Sequence, residues 1–284
     1  MLDFSNFELY KNNSTDNGLH TTYQYKYALP FEKVEDPAQF TLFLQRNWHH
    51  SITVSVVYFS IIKLIQWLMK DREAFHLKKT LFCWNLALAI YSIIGLVRFS
   101  EDFFHSLYTF GFFKTLCYSC HPNDVAAFWS LIFAISKIVE LGDTLFIVLR
   151  KKPLIFLHYY HHAVVLVYTT HSGAEHTAAG RWFIWMNFLA HSFMYTYYAI
   201  VASGHKPPRY VSVCVTTVQT TQMLVGVCLS ILVFHYKTMD LPCQQSFENL
   251  YLAFIIYVTF AFLFIRFFVN AYIRSPRKQR VKHE

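Results

Sequence analysis

Arg150-Lys151-Lys152-Pro153-Leu154-Ile155-Phe156-Leu157-His158-Tyr159-Tyr160-His161-His162 is the stretch from which the fold reads outward. Three cations and a proline stop one element, because proline lacks a backbone N–H and disfavours helix in the residue before it. A mostly apolar run follows. It carries His158, His161 and His162 at i, i+3 and i+4, the spacing of one helical face. His161 and His162 lie about 100° apart around that helix, so they point in different directions. Titratable side chains in an apolar helix are costly unless they line an interior, which makes these histidines candidates for function.

Composition says what surrounds them. Of 284 residues, 55% are hydrophobic, 19% aromatic and only 15% charged, against about 25% charged in a globular domain. The formal net charge is +8, but Lys and Arg fall in short runs between apolar stretches. A nucleic-acid partner would need a basic face on a polar domain, so that class is excluded. The reading is an all-α integral membrane protein. Six scattered cysteines imply no disulfide-dense scaffold. The first fifty residues lack a basic n-region, a short apolar core and a small-residue cleavage site, so no removable signal peptide is expected.

Apolar spans lie near 50–69, 80–99, 127–149, 180–202, 210–236 and 250–273, and the histidine stretch adds one near 154–172. Each approaches the ~20 residues that cross a bilayer. Seven transmembrane helices are therefore expected in a membrane domain over 48–273, after a tail over 1–47 and before a basic tail over 274–284. The loops near 70–79, 150–153 and 203–209 and the tail after 273 hold 14 Lys or Arg. The alternate loops hold three (Lys114, Arg181, Lys237) and the N-terminal tail four. That asymmetry places the C-terminus in the cytosol and the N-terminus on the lumenal or extracellular side. Overlapping sequons at Asn12 and Asn13 suit a lumenal tail as glycosylation acceptors.

Polar residues recur inside these spans. The third carries Lys137, Glu140 and Asp143; the fifth Asn187, His191, Tyr195, Tyr197 and Tyr198; the sixth Thr216, Gln219 and Gln222; the seventh Arg266 and Asn270. At about 1.5 Å per residue, Asp143, His161, Gln219 and Arg266 lie roughly 10–13 Å inside the cytosolic ends. Lys137 and His191 lie roughly 17–20 Å deep. Five helices thus place polar groups in one half of the membrane, which predicts a single chamber opening towards the basic loops.

Several chemistries compete for that chamber. A His-x-x-His-His box also occurs in membrane di-iron desaturases and hydroxylases, and imidazole suits iron or zinc. Those enzymes use several such boxes and this chain has one, so no metal or other cofactor is expected. Cys117-Tyr118-Ser119-Cys120-His121 matches the c-type haem pattern, but it falls in a lumenal loop, an oxidising compartment shared with Cys243. One of Cys117 and Cys120 is expected to pair with Cys243, with Cys117 preferred. A seven-helix transporter or receptor also fits the composition. Against it, clustered histidines, amides and tyrosines suit nucleophilic and acid–base work.

These residues resemble the very-long-chain fatty acid elongase (ELO) family, the membrane 3-ketoacyl-CoA synthases of the endoplasmic reticulum. Lys137-Ile138-Val139-Glu140-Leu141-Gly142-Asp143-Thr144 is similar to its K-x-x-E-x-x-D-T block, and His158-Tyr159-Tyr160-His161-His162 to its single histidine box. Asn187-Phe188-Leu189-Ala190-His191-Ser192-Phe193-Met194-Tyr195-Thr196-Tyr197-Tyr198 is similar to N-x-x-x-H-x-x-M-Y-x-Y-Y, and Thr216-Thr217-Val218-Gln219-Thr220-Thr221-Gln222 to T-x-x-Q-x-x-Q. The resemblance implies seven helices, six of them enclosing a narrow acyl tunnel closed towards the lumen. It implies condensation of a long-chain acyl-CoA with malonyl-CoA to 3-oxoacyl-CoA, CoA and carbon dioxide, the first step of the elongation cycle.

On this basis His161 is the expected nucleophile, a choice over His162 that rests on the resemblance. His191 is expected to exchange protons with the reacting centre. His158, His162 and Asp143 would set tautomers and charge, and Asn187, Tyr195, Gln219 and Gln222 would supply hydrogen bonds alongside Glu140 and Tyr198. Lys137, Arg150, Lys151, Lys152, Lys206, Arg209 and buried Arg266 are candidates for CoA phosphates. Arg280 and Lys282 resemble an endoplasmic-reticulum retrieval tail. Leu154-Ile155-Phe156-Leu157, without a glutamine near Leu154, resembles the branch acting on saturated and monounsaturated chains. Expected partners are the two CoA substrates, membrane lipid, other enzymes of the cycle and a second copy of the chain.

Overall fold

Asp36 accepts a hydrogen bond from the Gln39 N–H at 2.9 Å and Pro37 takes the first helical position, which starts α1 (Pro37–Asn47). A computed structural model describes residues 3–7, 18–32 and 34–274. After α1 come α2 (His50–Leu68), α3 (Lys78–Cys117), α4 (Val125–Glu140), α5 (Gly142–Leu149), α6 (Phe156–Glu175), α7 (Gly180–Ser203), α8 (Arg209–Thr238) and α9 (Phe247–Phe268). A π-helical turn at Val269–Ile273 closes α9. Two-residue strands, β1 (His20–Thr21) and β2 (Ser119–Cys120), pair in parallel.

Four of these helices are long and apolar enough to cross a membrane: His50–Leu68, Lys78–Cys117, Arg209–Thr238 and Phe247–Ile273. The other three expected spans differ for physical reasons. α6 and α7 are long enough, but histidines, tyrosines and Asn187 dilute their apolar character. The third span is broken at Leu141 into α4 and α5, where the ring of Trp84 lies against Gly142 and would clash with any Cβ there. The second span is much longer than expected. α3 runs on to Cys117 through a kink at Gly111, whose φ of 80° favours glycine, so Lys114 and Cys117 are helical and not in a loop.

The helices α3, α7, α8, α9, α6 and α4 pack in that order into a closed ring, with α3 against α7 the most extensive contact. α2 lies outside the ring on α5 and α6, and α1 on α6. The basic loops gather at one end. Lys151 Nζ donates to the Lys70 carbonyl at 3.0 Å, and Arg209 Nη2 to the Tyr272 carbonyl at 2.8 Å. At the opposite end Cys117 is bonded to Cys243, with Cys120 a free thiol, and the Gln244 N–H reaches the Cys117 carbonyl at 2.9 Å.

Described residues ahead of α2 are packed into the fold and do not form a free tail. Glu32 is fully buried and accepts from Arg98 at 2.8 and 2.6 Å and from Trp129 Nε1 at 2.8 Å. The Arg98 guanidinium holds this carboxyl down to about 2, well below the usual range. Arg181, expected in a lumenal loop, instead sits at the start of α7 with its side chain 1% exposed. It binds Asp102 at 2.8 Å, the Tyr118 carbonyl at 2.8 Å and Thr21 Oγ1 at 2.6 Å, tying β1 to the disulfide end. Asn12, Asn13, Arg280 and Lys282 lie outside the described residues.

Candidate active site

The ring holds two adjoining cavities. The first, about 760 Å³, meets the basic end and is lined by Asp143 from α5, His158, His161 and His162 from α6, Asn187, His191, Tyr195 and Tyr198 from α7, and Gln219 and Gln222 from α8. The second, about 160 Å³ and mostly apolar, extends towards the disulfide end between side chains that include Leu131, Val165, Phe183, Ile256 and Tyr257. His161, Asn187, Gln222 and Met223 line both.

The histidine box divides into two parts. His158 and His162, one turn apart, bring their rings to 4.5 Å. His158 Nε2 pairs with Thr144 Oγ1 at 3.0 Å, which in turn meets the Tyr58 hydroxyl at 2.6 Å. His161 turns away, its ring at 90° to that of His162 and packed on Phe260 at 4.8 Å. Its nitrogens have no hydrogen-bond partner among the described residues. An imidazole held by apolar contacts, with its nitrogens uncommitted, is placed to act on a ligand.

His191 is held from behind. Its Nδ1 lies 3.6 Å from Glu140 Oε1, which also takes a 2.7 Å bond from Lys137 Nζ. Lys137 donates onward to Asn187 Oδ1 at 2.9 Å. With its amide oxygen held by Lys137, Asn187 keeps both N–H donors for a ligand. The expected phosphate role of Lys137 is overturned, because its side chain is 3% exposed and it does not line either cavity. Asp143 is likewise not a partner of the histidine box. Its oxygens accept from Trp84 Nε1 at 2.6 Å and Tyr195 OH at 2.8 Å. Gln219 Nε2 points at Met194 Sδ at 3.0 Å.

Of the expected phosphate cations, Arg150 and Lys152 line the open cavity. Lys151 is engaged with Lys70, and Lys206 and Arg209 are exposed outside the cavity. Arg266 is exposed and not buried. Phe264 and Phe267 of the same helix line the cavity, and two residues from Phe264 Arg266 falls on the far side. Lys78 and His76 also line the mouth and were missed, as were Trp84, Tyr58 and Thr144 behind the site. Thr144 stood inside a recognised block; Trp84 and Tyr58 carry no signal, since their partners lie 59 and 86 residues away. Among the described residues no three His, Cys, Asp or Glu side chains converge as metal ligands.

Similarity to known proteins runs along nearly the whole chain. Residues 43–280 match the pattern of the ELO: GNS1/SUR4 family. A Caenorhabditis elegans protein assigned as fatty acid elongase 4 is 60% identical over 285 residues, covering 99% of this chain and 97% of that one. Very long chain fatty acid elongase 3 of Homo sapiens is 41% identical over 243 residues, covering 85% and 90%. Very long chain fatty acid elongase 6 of Drosophila melanogaster is 38% identical over 259 residues, covering 90% and 82%. With a histidine site between an open polar cavity and an apolar one, and this similarity along nearly the whole chain, the protein belongs to the ELO family of fatty acid elongases.

Proposed function

We propose that the protein elongates long-chain acyl-CoA by a two-stage condensation with malonyl-CoA in which His161 carries the acyl group. The observation that carries the reading is that His161 alone of the three box histidines lines both cavities. The CoA phosphates lie at the mouth against Arg150, Lys152 and Lys78, and the acyl chain enters the apolar cavity. The His161 nitrogen attacks the thioester carbonyl, a carbon–nitrogen bond forms, the carbon–sulfur bond breaks and CoA leaves as the thiolate. The N–H donors of Asn187 and Gln222 face the carbonyl oxygen where negative charge builds. Malonyl-CoA then loses carbon dioxide, and the resulting enolate carbon attacks the acyl carbon and releases imidazole. His191, oriented by Glu140, exchanges protons at that centre.

The two cavities together form the acyl tunnel, and α2, α3, α4 with α5, and α6 to α9 make seven membrane passes. Alternation of the connecting loops between the basic and disulfide ends supports that count. The positive-inside bias supports a cytosolic basic end, and membership of the ELO family supports an endoplasmic-reticulum membrane location. The test uses purified protein and labelled acyl-CoA without malonyl-CoA. CoA should be released to at most one equivalent per chain, with the acyl mass on the peptide bearing His161 and no release from His161→Ala. Condensation that requires both substrates before any CoA appears, or that survives in His161→Ala, would overturn the reading.

A further inference from the structure

The element least accounted for is α1, which falls in a segment that reads as a tail. Its residues Pro37, Phe40, Thr41 and Leu44 follow i, i+3, i+4, i+7, one stripe of a helix, and all four line the apolar cavity. Opposite them α4 contributes Ala127, Leu131 and Ala134, small or apolar residues on its cavity face. The helix is fixed in position. Thr41 Oγ1 pairs with His176 Nε2 at 2.7 Å and Gln45 Nε2 donates to the Ala174 carbonyl at 3.1 Å. Leu44 Cδ1 lies 3.6 Å from where a Cβ on Gly173 would stand.

We infer that α1 is the far wall of the acyl site and sets the longest chain the enzyme accepts. This rests on the proposed attachment of the acyl carbonyl at His161. From there α6 runs twelve residues to Gly173 and fifteen to His176, or roughly 18 and 22 Å at ~1.5 Å per residue. A zigzag chain of ~1.5 Å bonds advances about 1.25 Å per carbon. Its fourteenth carbon or so meets the Leu44–Gly173 contact, which sets the limit, and Thr41 and His176 lie about four carbons further on. Leu44 stands at van der Waals distance from the position of a Gly173 Cβ, so a longer side chain at 173 would crowd it and the two residues together set the clearance.

The experiment is the chain-length profile of products made by the full-length protein from C12 to C22 acyl-CoA. Leu44→Ala should raise the longest accepted chain by about two carbons, and Gly173→Leu, which fills the same space from α6, should lower it by a similar amount. The double variant should return towards the native profile, which guards against a single variant that fails to fold. Unchanged length limits in well-folded variants that still release CoA through His161 would overturn the inference and leave the His161 reading standing. Loss of the His161 adduct in the native protein would instead remove the reading on which it rests.

Discussion

Glu140→Gln tests the support behind His191. The Lys137–Glu140 pair has its charges 2.7 Å apart with side chains 3% and 2% exposed. At an effective dielectric near 20, that separation gives a gross attraction of about 6 kcal/mol. The net loss on removing one partner is smaller, about 3–5 kcal/mol, because most of it is the cost of leaving the other charge buried and unpaired. For a chain of this size that corresponds to a fall in Tm of roughly 10 °C. Lys137→Met should cost a similar amount, leaving Glu140 with Ser136 at 3.1 Å and His191 at 3.6 Å. The double variant Lys137→Met/Glu140→Gln removes both charges and should recover most of the stability.

Activity should separate from stability in that double variant. His191 has lost the carboxylate at its Nδ1, so condensation should stay at least about tenfold below native although the fold is restored. Thermal unfolding in detergent by tryptophan fluorescence, paired with a malonyl-CoA condensation assay, reads both. Single variants within 2 °C of native, or a double variant as unstable as the sum of the singles, would refute the argument; the 2 °C margin is about 1 kcal/mol on the same scale.

Other consequences follow from separate parts of the molecule. The Cys117–Cys243 bond closes a 126-residue separation, so Cys243→Ser should cost about 5 kcal/mol by chain entropy, seen as a lower Tm without reductant. Glu32, depressed to about 2, contributes stability that is complete above its ordinary carboxylate range and is lost as pH falls towards 2. Glu32→Gln should therefore be less stable at neutral pH and flatten the fall in Tm over that acid window. Arg150→Gln/Lys152→Gln should raise the KM for CoA substrates about 3- to 10-fold at low salt and less at high salt, in the range of partly exposed charge pairs. Lys151→Gln and Arg266→Gln, which lie off the cavity, should leave that KM near native.

Much of the site is written in local spacing. His158, His161 and His162 fall on a helix wherever that helix packs, and Asn187, His191 and Tyr195 share one face at i, i+4 and i+8. Depth arithmetic then brought Asp143, His161, His191 and Gln219 to one chamber, and all four line it. The same arithmetic failed for Arg266 because it gives height along a helix but not rotation about its axis. It failed for Lys137 because burial, which depends on the packing of α4 against α6 and α7, decides whether a cation meets a ligand or a carboxylate.

By itself, then, the sequence determined an apolar helical protein, its basic end and the helix that carries the histidine box, because hydrophobic runs, charge bias and the 3.6-residue period are properties of neighbouring residues. Only the tertiary structure decided that His161 borders both cavities while His158 and His162 border one. Only it set Thr144 on His158 and Trp84 on Asp143, and folded α1 back onto α6. Those outcomes depend on how separate helices rotate and pack against one another, with partners up to 135 residues apart, as Thr41 and His176 are. No periodicity along the chain encodes that rotation.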